Sequence, residues 1–188
     1  MAKHAVCPWW IGYLLASPIR KFFQDPVQIL SPHLRVAMSV LEPGPGMGFF
    51  TLEIARLVGP SGRVVAVDSQ PQMIEGLKRR ASKAGLLDRI DARVARAESM
   101  ALDDLEGTID FIFAFAVVHE MPSAEHFFDE AARVMKSDSS LLLAEPAGHV
   151  GESEFAQLLA AASECGLQVI DRPSVSRCMA AVLSRKSR

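Results

Sequence analysis

Cysteine is scarce in this sequence, which has three cysteines in 188 residues, at positions 7, 165 and 178. An odd number without paired spacing does not suit a disulfide framework and favours a reducing compartment, so we expect a cytoplasmic protein. The apolar stretch near residues 5–15 lacks a cationic lead and is too short to cross a bilayer. It therefore predicts neither a secretory signal nor a transmembrane segment.

An excess of charge of one sign is also missing, because the formal net charge is only -2 at pH 7. This balance gives no general reason to expect a nucleic-acid partner. Internal repeats and low-complexity tracts are absent from the sequence, and 49% of the residues are hydrophobic. The length and this apolar content are enough for one domain with a full-sized core.

Apolar runs alternate with amphipathic helical patterns from residue 36 onwards. Four of the runs are almost continuously apolar, which is typical of strands buried on both faces of a parallel sheet. Only residues 173–176 separate the last two runs, so we expect them to form an antiparallel hairpin at one edge. The pattern predicts an α/β fold with a doubly wound, mostly parallel seven-stranded sheet and an antiparallel C-terminal hairpin. The predicted strands are 36–42, 63–68, 90–96, 109–116, 140–145, 167–175 and 177–184, and the predicted helices are 49–59, 69–85, 123–136 and 151–166.

The segment VLEPGPGMGFF, residues 40–50, places three glycines at alternate positions directly after the first predicted strand. Glycine permits a sharp turn and lets a ligand approach the main chain closely. We expect the following helix to begin near Phe49 and to turn its free amide groups towards the same space. The segment is thus typical of a site for a nucleotide-like ligand, although a purely structural turn would have the same pattern.

Asp68 ends the second predicted strand, where a carboxylate can accept both hydroxyls of a ribose or cap the next helix. A dinucleotide site requires a third glycine at position 49, which is Phe49 here. Glu42 would repel a pyrophosphate but would favour a cationic ligand. S-adenosylmethionine has an ammonium, a sulfonium and a ribose but no phosphate, so these charges favour it over a dinucleotide.

These segments, together with RAESM, IDFIFAFAVVHEMP and LLLAEP, resemble the class I S-adenosylmethionine-dependent methyltransferases. The resemblance runs from about Val36 to the C-terminus and is close to the small bacterial branch grouped with the ubiquinone/menaquinone and arsenite methyltransferases. The resemblance implies S-adenosyl-L-methionine as cofactor and methyl transfer to a small molecule. Two alternatives stay open: a non-catalytic domain that binds S-adenosylmethionine or S-adenosylhomocysteine for sensing or assembly, and a nicotinamide-dependent oxidoreductase, which Phe49 disfavours.

The resemblance also implies a role for each residue of the cofactor site. The acidic residue of the first strand would contact the methionyl amino group, the glycine loop would lie under the methionine and ribose, and Asp68 would bind the ribose hydroxyls. The family often has aspartate where this chain has Arg96, so Glu98 is the candidate substitute for its contact with adenine, or that contact is missing. The implied cofactor-binding residues are Glu42, Gly44, Gly46, Gly48, Asp68, Ser69, Gln70, Ala97, Glu98 and Phe115.

Three titratable residues, His119, Glu145 and His149, follow the fourth and fifth predicted strands. The carboxyl ends of the strands are where doubly wound folds bind ligands. A histidine there could take a proton from an O–H or N–H nucleophile, so we predict these residues as the catalytic candidates. They are also conceivable metal ligands, but no HxxxH or CxxC spacing supports a metal site and we predict none. A structural role, with His119 capping a helix and Glu145 orienting a loop, stays open.

The N-terminal segment is rich in proline and aromatic residues and differs from the rest of the chain. We expect residues 1–34 to form a lid or cap and residues 35–188 to form the methyltransferase domain. The leader CPWWIGYLLASPIRKFF could close over the acceptor pocket, rest on a membrane surface or contact a second copy of the chain, and we favour the lid. The expected partners are therefore a small-molecule methyl acceptor, with transient membrane contact or a homodimer as further alternatives, and no nucleic acid.

Overall fold

A computed structural model of the chain describes residues 24–96 and 99–186. The chain divides into two compact units, one ending at Met100 and the other continuing from Ala101 to the C-terminus. Residues 1–23, which include most of the predicted lid, and the predicted adenine contacts Ala97 and Glu98 lie outside the described residues. No helix in the described part of the chain has the length and apolar character needed to cross a membrane.

The unit ending at Met100 contains three parallel strands whose interior is formed by valine, leucine and alanine. Successive residues of the first two strands are buried, as the continuous apolar runs predict for strands covered on both faces. The strands are β1 (Ser39–Pro43), β2 (Arg63–Asp68) and β3 (Ile90–Val94), and the helices are α1 (Pro26–Leu30), α2 (Thr51–Leu57), α3 (Pro71–Lys83) and a 3₁₀ turn at Leu87–Arg89.

The unit from Ala101 contains the remaining strands and ends in the predicted hairpin. The fourth and fifth strands are parallel, whereas the last strand is antiparallel to the fifth and to the sixth. The elements are β4 (Ile109–Phe115), α4 (Ala124–Val134), β5 (Met135–Pro146), α5 (Glu152–Glu164), β6 (Leu167–Asp171) and β7 (Cys178–Arg185), with 3₁₀ turns at Asp103–Leu105 and Val118–Glu120.

The strand order of the seven-stranded sheet is β3-β2-β1-β4-β5-β7-β6. This mixed sheet with antiparallel C-terminal strands confirms the predicted fold class. The hairpin is antiparallel because the short connection between Asp171 and Cys178 does not allow the crossover that a parallel pair requires.

Local chemistry explains where several helices begin and end. Ser123 caps α4, since its Oγ accepts a hydrogen bond from the backbone N–H of His126 at 3.0 Å. Pro71 occupies the first turn of α3, where its missing N–H costs nothing. Gly85, with φ of 66°, follows the end of α3 in the left-handed conformation that glycine adopts readily.

Several predicted boundaries were wrong, including the start of β1, which is Ser39 rather than residue 36. Helix α2 begins at Thr51 rather than Phe49, because residues 46–50 form a turn. Strand β5 begins at Met135 rather than at residue 140, because α4 passes directly into it. Strand β6 ends at Asp171 rather than at residue 175, and Pro173, which has no N–H to donate, stands two residues beyond.

The described end of the N-terminal segment is part of a hydrophobic core. Asp25 caps α1 by accepting from the N–H of Val27 at 2.9 Å. Leu30 and Leu34 are buried, and α1 packs against α2 within the same unit. Helix α1 is therefore packed within this unit, and the lid role of the segment stays a prediction.

Candidate cofactor and acceptor residues

The glycine loop after β1 depends on glycine for its conformation. Gly44, Gly46 and Gly48 have φ angles of 67°, 54° and 82°, in the left-handed region that other residues adopt at a cost. A Cβ atom at Gly48 would lie 2.4 Å from Leu77 Cδ1, so this glycine is needed for packing. A Cβ atom at Gly46 would meet nothing within 4 Å. The main chain at Gly46 thus borders open space that a ligand can approach.

Asp68 connects the end of β2 to this loop. Its Oδ2 accepts a hydrogen bond from the N–H of Gly46 at 3.2 Å, and its Oδ1 accepts from the N–H of Gln70 at 2.9 Å. Burial raises the pKa of Asp68 above 3.8, while the two backbone N–H donors act in the opposite direction. Each carboxylate oxygen can accept further hydrogen bonds. Asp68 therefore supports the loop and keeps acceptor capacity that suits a ribose diol.

The other predicted residues of this unit occupy contrasting environments. Glu42 lies in β1 opposite Ala66 of β2 and is buried, with 3% of its surface exposed. Ser69 is exposed and Gln70 is half-buried, directly after Asp68. Burying a carboxylate costs free energy unless it meets a cation or a hydrogen-bond donor. Glu42 and Asp68 together are therefore more suited to a cationic ligand than to an anionic one.

Thr51 is a buried polar residue that the sequence interpretation missed. It is completely buried, and among the described residues its Oγ has no hydrogen-bond partner. A Cβ atom at Gly48 would lie 3.6 Å from this oxygen, so Thr51 stands beside the glycine loop. A threonine at a helix start is too common for the sequence pattern to identify it.

These observations show that the residues present fit S-adenosyl-L-methionine. The loop offers bare main chain at Gly46, Asp68 offers acceptor oxygens, and Glu42 offers negative charge. S-adenosyl-L-methionine has no phosphate, so its binding does not need a cationic side chain at the loop. The chemistry of the donor and acceptor groups therefore agrees with a cationic nucleoside.

In the unit from Ala101, His119 and Glu145 form a close pair. The Nδ1 atom of His119 lies 2.5 Å from Oε2 of Glu145. The other oxygen, Oε1, accepts from the backbone N–H groups of Val118 at 2.9 Å and His119 at 3.3 Å. Glu145 is fully buried and only 9% of the His119 side chain is exposed. The carboxylate thus orients both the 3₁₀ turn and the imidazole ring.

This environment defines the protonation chemistry of His119. The hydrogen bond to Glu145 raises the pKa of His119 above 6.5, burial acts against it, and the charges of Glu145, Glu120 and Glu154 add to the increase. The neutral ring that donates its Nδ1–H to Glu145 has its basic lone pair on Nε2. A histidine held in this way by a carboxylate has the arrangement of a general base.

Two further predicted residues, His149 and Phe115, lie in the same unit as this pair. The rings of His119 and His149 have centroids 5.8 Å apart and meet at 66°. Phe115, at the end of β4, is buried and stacks on Phe113 with centroids 5.7 Å apart. Ala116 follows with φ of 54°, a conformation that costs a non-glycine residue free energy. No group of three His, Cys, Asp or Glu side chains within residues 24–96 and 99–186 could hold a metal ion.

Comparisons with known proteins agree with this chemistry. Residues 34–176 match a family model described as "Methyltransferase domain". The arsenite methyltransferase of Halobacterium salinarum is 27% identical over 119 residues, which cover 63% of this chain and 27% of that protein. The ubiquinone/menaquinone biosynthesis C-methyltransferase of Hydrogenovibrio crunogenus is 26% identical over 112 residues, covering 60% of this chain and 43% of that protein. The matched segment thus spans less than half the length of either relative.

Among solved structures, a SAM-dependent methyltransferase from Aquifex aeolicus superposes with a TM-score of 0.84 and 25% sequence identity. The match covers 95% of this chain and 98% of that chain. With the family model matching most of the chain, the glycine loop and the sheet order, the protein belongs to the class I S-adenosyl-L-methionine-dependent methyltransferases.

Proposed function

We propose that the protein transfers a methyl group from S-adenosyl-L-methionine to a small-molecule acceptor. The strongest support is the joined arrangement of Asp68 and the glycine loop, in which Asp68 accepts from the N–H of Gly46 while Gly46 borders open space. The names of the two relatives, an arsenite methyltransferase and a quinone-biosynthesis methyltransferase, support a small acceptor. The aligned segment covers less than half of each, so acceptor and partners are proposals for this chain.

The chain's own residues would divide the cofactor between them. We assign the ribose hydroxyls to Asp68, the methionyl ammonium to Glu42, and the methionyl and ribose backbone contact to the glycine loop. S-adenosyl-L-methionine, when bound, supplies an electrophilic methyl group on a positively charged sulfur. We assign Phe115 to the pocket for the methionyl group. The residues assigned to the adenine are Ser69, Gln70, Ala97 and Glu98.

His119 is the proposed general base. A proton would move from an O–H or N–H group of the acceptor to Nε2, while Glu145 stabilises the imidazolium through Nδ1. His149, whose ring meets that of His119 edge to face, would help to set the ring's orientation. Alignment of the acceptor and the methyl group would supply much of the acceleration, since orientation is worth about 7–11 kcal/mol in favourable cases.

Three further proposals concern the chain as a whole. Residues 1–34 would close over the acceptor, and the cysteine content is consistent with a cytoplasmic location. A homodimer, or transient contact with a membrane surface, would be an alternative use of the same segment.

Calorimetric titration with S-adenosylmethionine, S-adenosylhomocysteine and NAD tests the cofactor assignment. We expect binding of the first two and not of NAD. Transfer of radiolabelled methyl groups to a panel of phenols, quinols, amines and thiols then tests the reaction. Binding without methylation of any acceptor class would favour the non-catalytic sensing domain, and binding of NAD alone would refute the proposed function.

A further inference from the structure

Helix α3 contacts the glycine loop at two consecutive loop residues. The carbonyl oxygen of Met47 accepts a hydrogen bond from Nη1 of Arg80 at 2.5 Å. The side chain of Met47 lies against Gly76, where a Cβ atom would stand 2.8 Å from Met47 Cγ. The next residue, Gly48, lies against Leu77 so closely that a Cβ atom would clash at 2.4 Å. Helix α3 thus donates a hydrogen bond to the loop, leaves room at Gly76 for the Met47 side chain, and packs Leu77 against Gly48.

The loop needs such support because of its composition. Three of the five residues 44–48 are glycine, which allows many backbone conformations, and ordering them costs conformational entropy. Three N–H groups of the loop have acceptors: Gly44 donates to Val67 O at 2.9 Å, Gly48 donates to Pro45 O at 3.0 Å, and Gly46 donates to Asp68 at 3.2 Å. A ligand that binds an already ordered loop does not bear this entropy cost. Contacts that order the loop in advance therefore increase the affinity.

Packing alone does not explain an arginine at position 80. Arg80 is half-buried, and burial lowers its pKa, with the positive charge of Arg56 acting in the same direction. Removing a charged group from water costs free energy unless hydrogen bonds replace the lost hydration. The guanidinium meets that need with a main-chain carbonyl of the loop, and its several N–H donors are suited to such a contact.

We propose that Arg80 is a positioning residue for cofactor binding: through the carbonyl of Met47 it holds the backbone of residues 46–48 in the conformation that S-adenosyl-L-methionine contacts. The inference rests on the proposed function, in which this loop binds the cofactor. Arg80 need not touch the cofactor, because the hydrogen bond acts through the loop backbone.

The test compares Arg80→Met, which keeps a long apolar stem without the donors, with Lys83→Met, which removes the same charge from an exposed position on α3. Arg80→Lys keeps the charge and is the conservative variant. Affinity for S-adenosylhomocysteine is measured by calorimetry, and exchange of the amide hydrogens of residues 44–50 is followed by mass spectrometry without ligand.

We expect Arg80→Met to weaken binding by about tenfold or more, with faster exchange in the loop. Arg80→Lys should show a smaller loss of affinity and a smaller increase in loop exchange than Arg80→Met. Lys83→Met should change neither the affinity nor the exchange. The KM for S-adenosylmethionine should rise in Arg80→Met while kcat at saturation changes less than about twofold. A lowered melting temperature with normal affinity and normal loop exchange would show a merely structural role and would overturn the proposal.

Two failures are distinguishable. If the wild-type protein binds no S-adenosylhomocysteine, the proposed function is refuted, and loop exchange in Arg80→Met still decides whether Arg80 orders the loop. If the wild-type protein binds but Arg80→Met binds equally well, only the positioning role is refuted. Should Arg80→Met fail to fold, Arg80→Lys decides the matter, since it must show a smaller loss of the same kind.

Discussion

The carboxylate of Asp68 supports the surrounding backbone and is also the proposed ligand of the ribose. Its two oxygens accept from the N–H groups of Gly46 and Gln70, so the loop and the start of α3 are both tied to it. The two uses proposed for this residue on the sequence, ribose binding and support of the next helix, are therefore compatible. The support is visible in the structure, whereas the ribose contact stays a prediction.

Replacement Asp68→Asn is expected to weaken binding of S-adenosylhomocysteine by about 10- to 100-fold, because an amide has only one acceptor oxygen and a hydrogen bond to a charged group is worth roughly 1.5–3 kcal/mol. The free energy of unfolding should also fall, by about 1 kcal/mol or more, because the N–H group of either Gly46 or Gln70 loses its acceptor. Titration calorimetry and urea denaturation measure the two quantities. Asp88→Asn, at an exposed position, is the control, and an unchanged affinity in Asp68→Asn would exclude the ribose role.

His119 should impose a pH dependence on methyl transfer. Because Glu145 raises the pKa of His119, we expect kcat/KM to rise with pH and to level off only above a pKa higher than 6.5. In Glu145→Gln the pKa should fall, so the rising limb should move to lower pH and the plateau should be lower. Rates with labelled S-adenosylmethionine across pH measure both profiles. Identical profiles in the two proteins would refute the base assignment.

The same pair predicts how stability depends on pH. A histidine whose pKa is raised on folding stabilises the folded state fully below its unfolded pKa of about 6.5, and this contribution is lost as pH rises through the folded pKa. The wild-type free energy of unfolding should therefore fall over that range relative to His119→Gln, as measured by urea denaturation. A parallel pH dependence in the two proteins would contradict the coupling.

Among the secondary-structure elements, α4 has a single side-chain cap at its start. Ser123 Oγ accepts from His126 N–H at 3.0 Å and donates to Glu125 at 2.8 Å. Ser123→Ala should lower the free energy of unfolding by about 1 kcal/mol, because a helix N-terminal donor loses its partner. Denaturant titration measures the change. Ser82→Ala, at an exposed position late in α3, should change it by less than about 0.5 kcal/mol.

Helix α3 tests whether packing against the glycine loop outweighs helix propensity. Alanine is better than glycine inside a helix by about 1 kcal/mol, so Gly76→Ala would stabilise an isolated α3. In the protein the new Cβ would lie 2.8 Å from Met47 Cγ, and Met47 is itself buried. We therefore expect Gly76→Ala to destabilise the protein and weaken cofactor binding.

The added variant Met47→Ala identifies the cause. Removing the Met47 side chain relieves the clash, so the double variant should be more stable than the sum of the single changes by about 1 kcal/mol. A double-mutant cycle by denaturant titration measures this coupling. Additive changes would mean that Gly76 has another purpose.

For the molecule as a whole, cofactor binding should appear as thermal stabilisation. A ligand at a hundred times its Kd stabilises the folded state by about 2.7 kcal/mol, and each kcal/mol raises the Tm by roughly 2–4 °C in a chain of this size. We expect S-adenosylhomocysteine to raise the Tm by roughly 5–11 °C and NAD to leave it unchanged. Equal shifts with both ligands would contradict the cofactor assignment.

The fold class could be predicted because its signals are local. Continuous apolar runs indicate buried parallel strands, and the short connection between the last two strands allows only a hairpin. The start of β5 could not be predicted in the same way. Residues 135–139 are mostly polar, and they are a strand because they continue the chain from α4 alongside β4, which no local pattern shows.

The sequence alone determined the seven-stranded fold, the glycine loop and the acidic residue at the end of β2, because strand periodicity and the conformational freedom of glycine act over a few neighbouring residues. Only the tertiary structure decided that Asp68 accepts from Gly46, that Glu145 holds His119, and that Arg80 bonds to Met47. Each of these contacts joins residues more than twenty positions apart. Their geometry depends on strand register and on how the helices pack, which a local pattern does not specify.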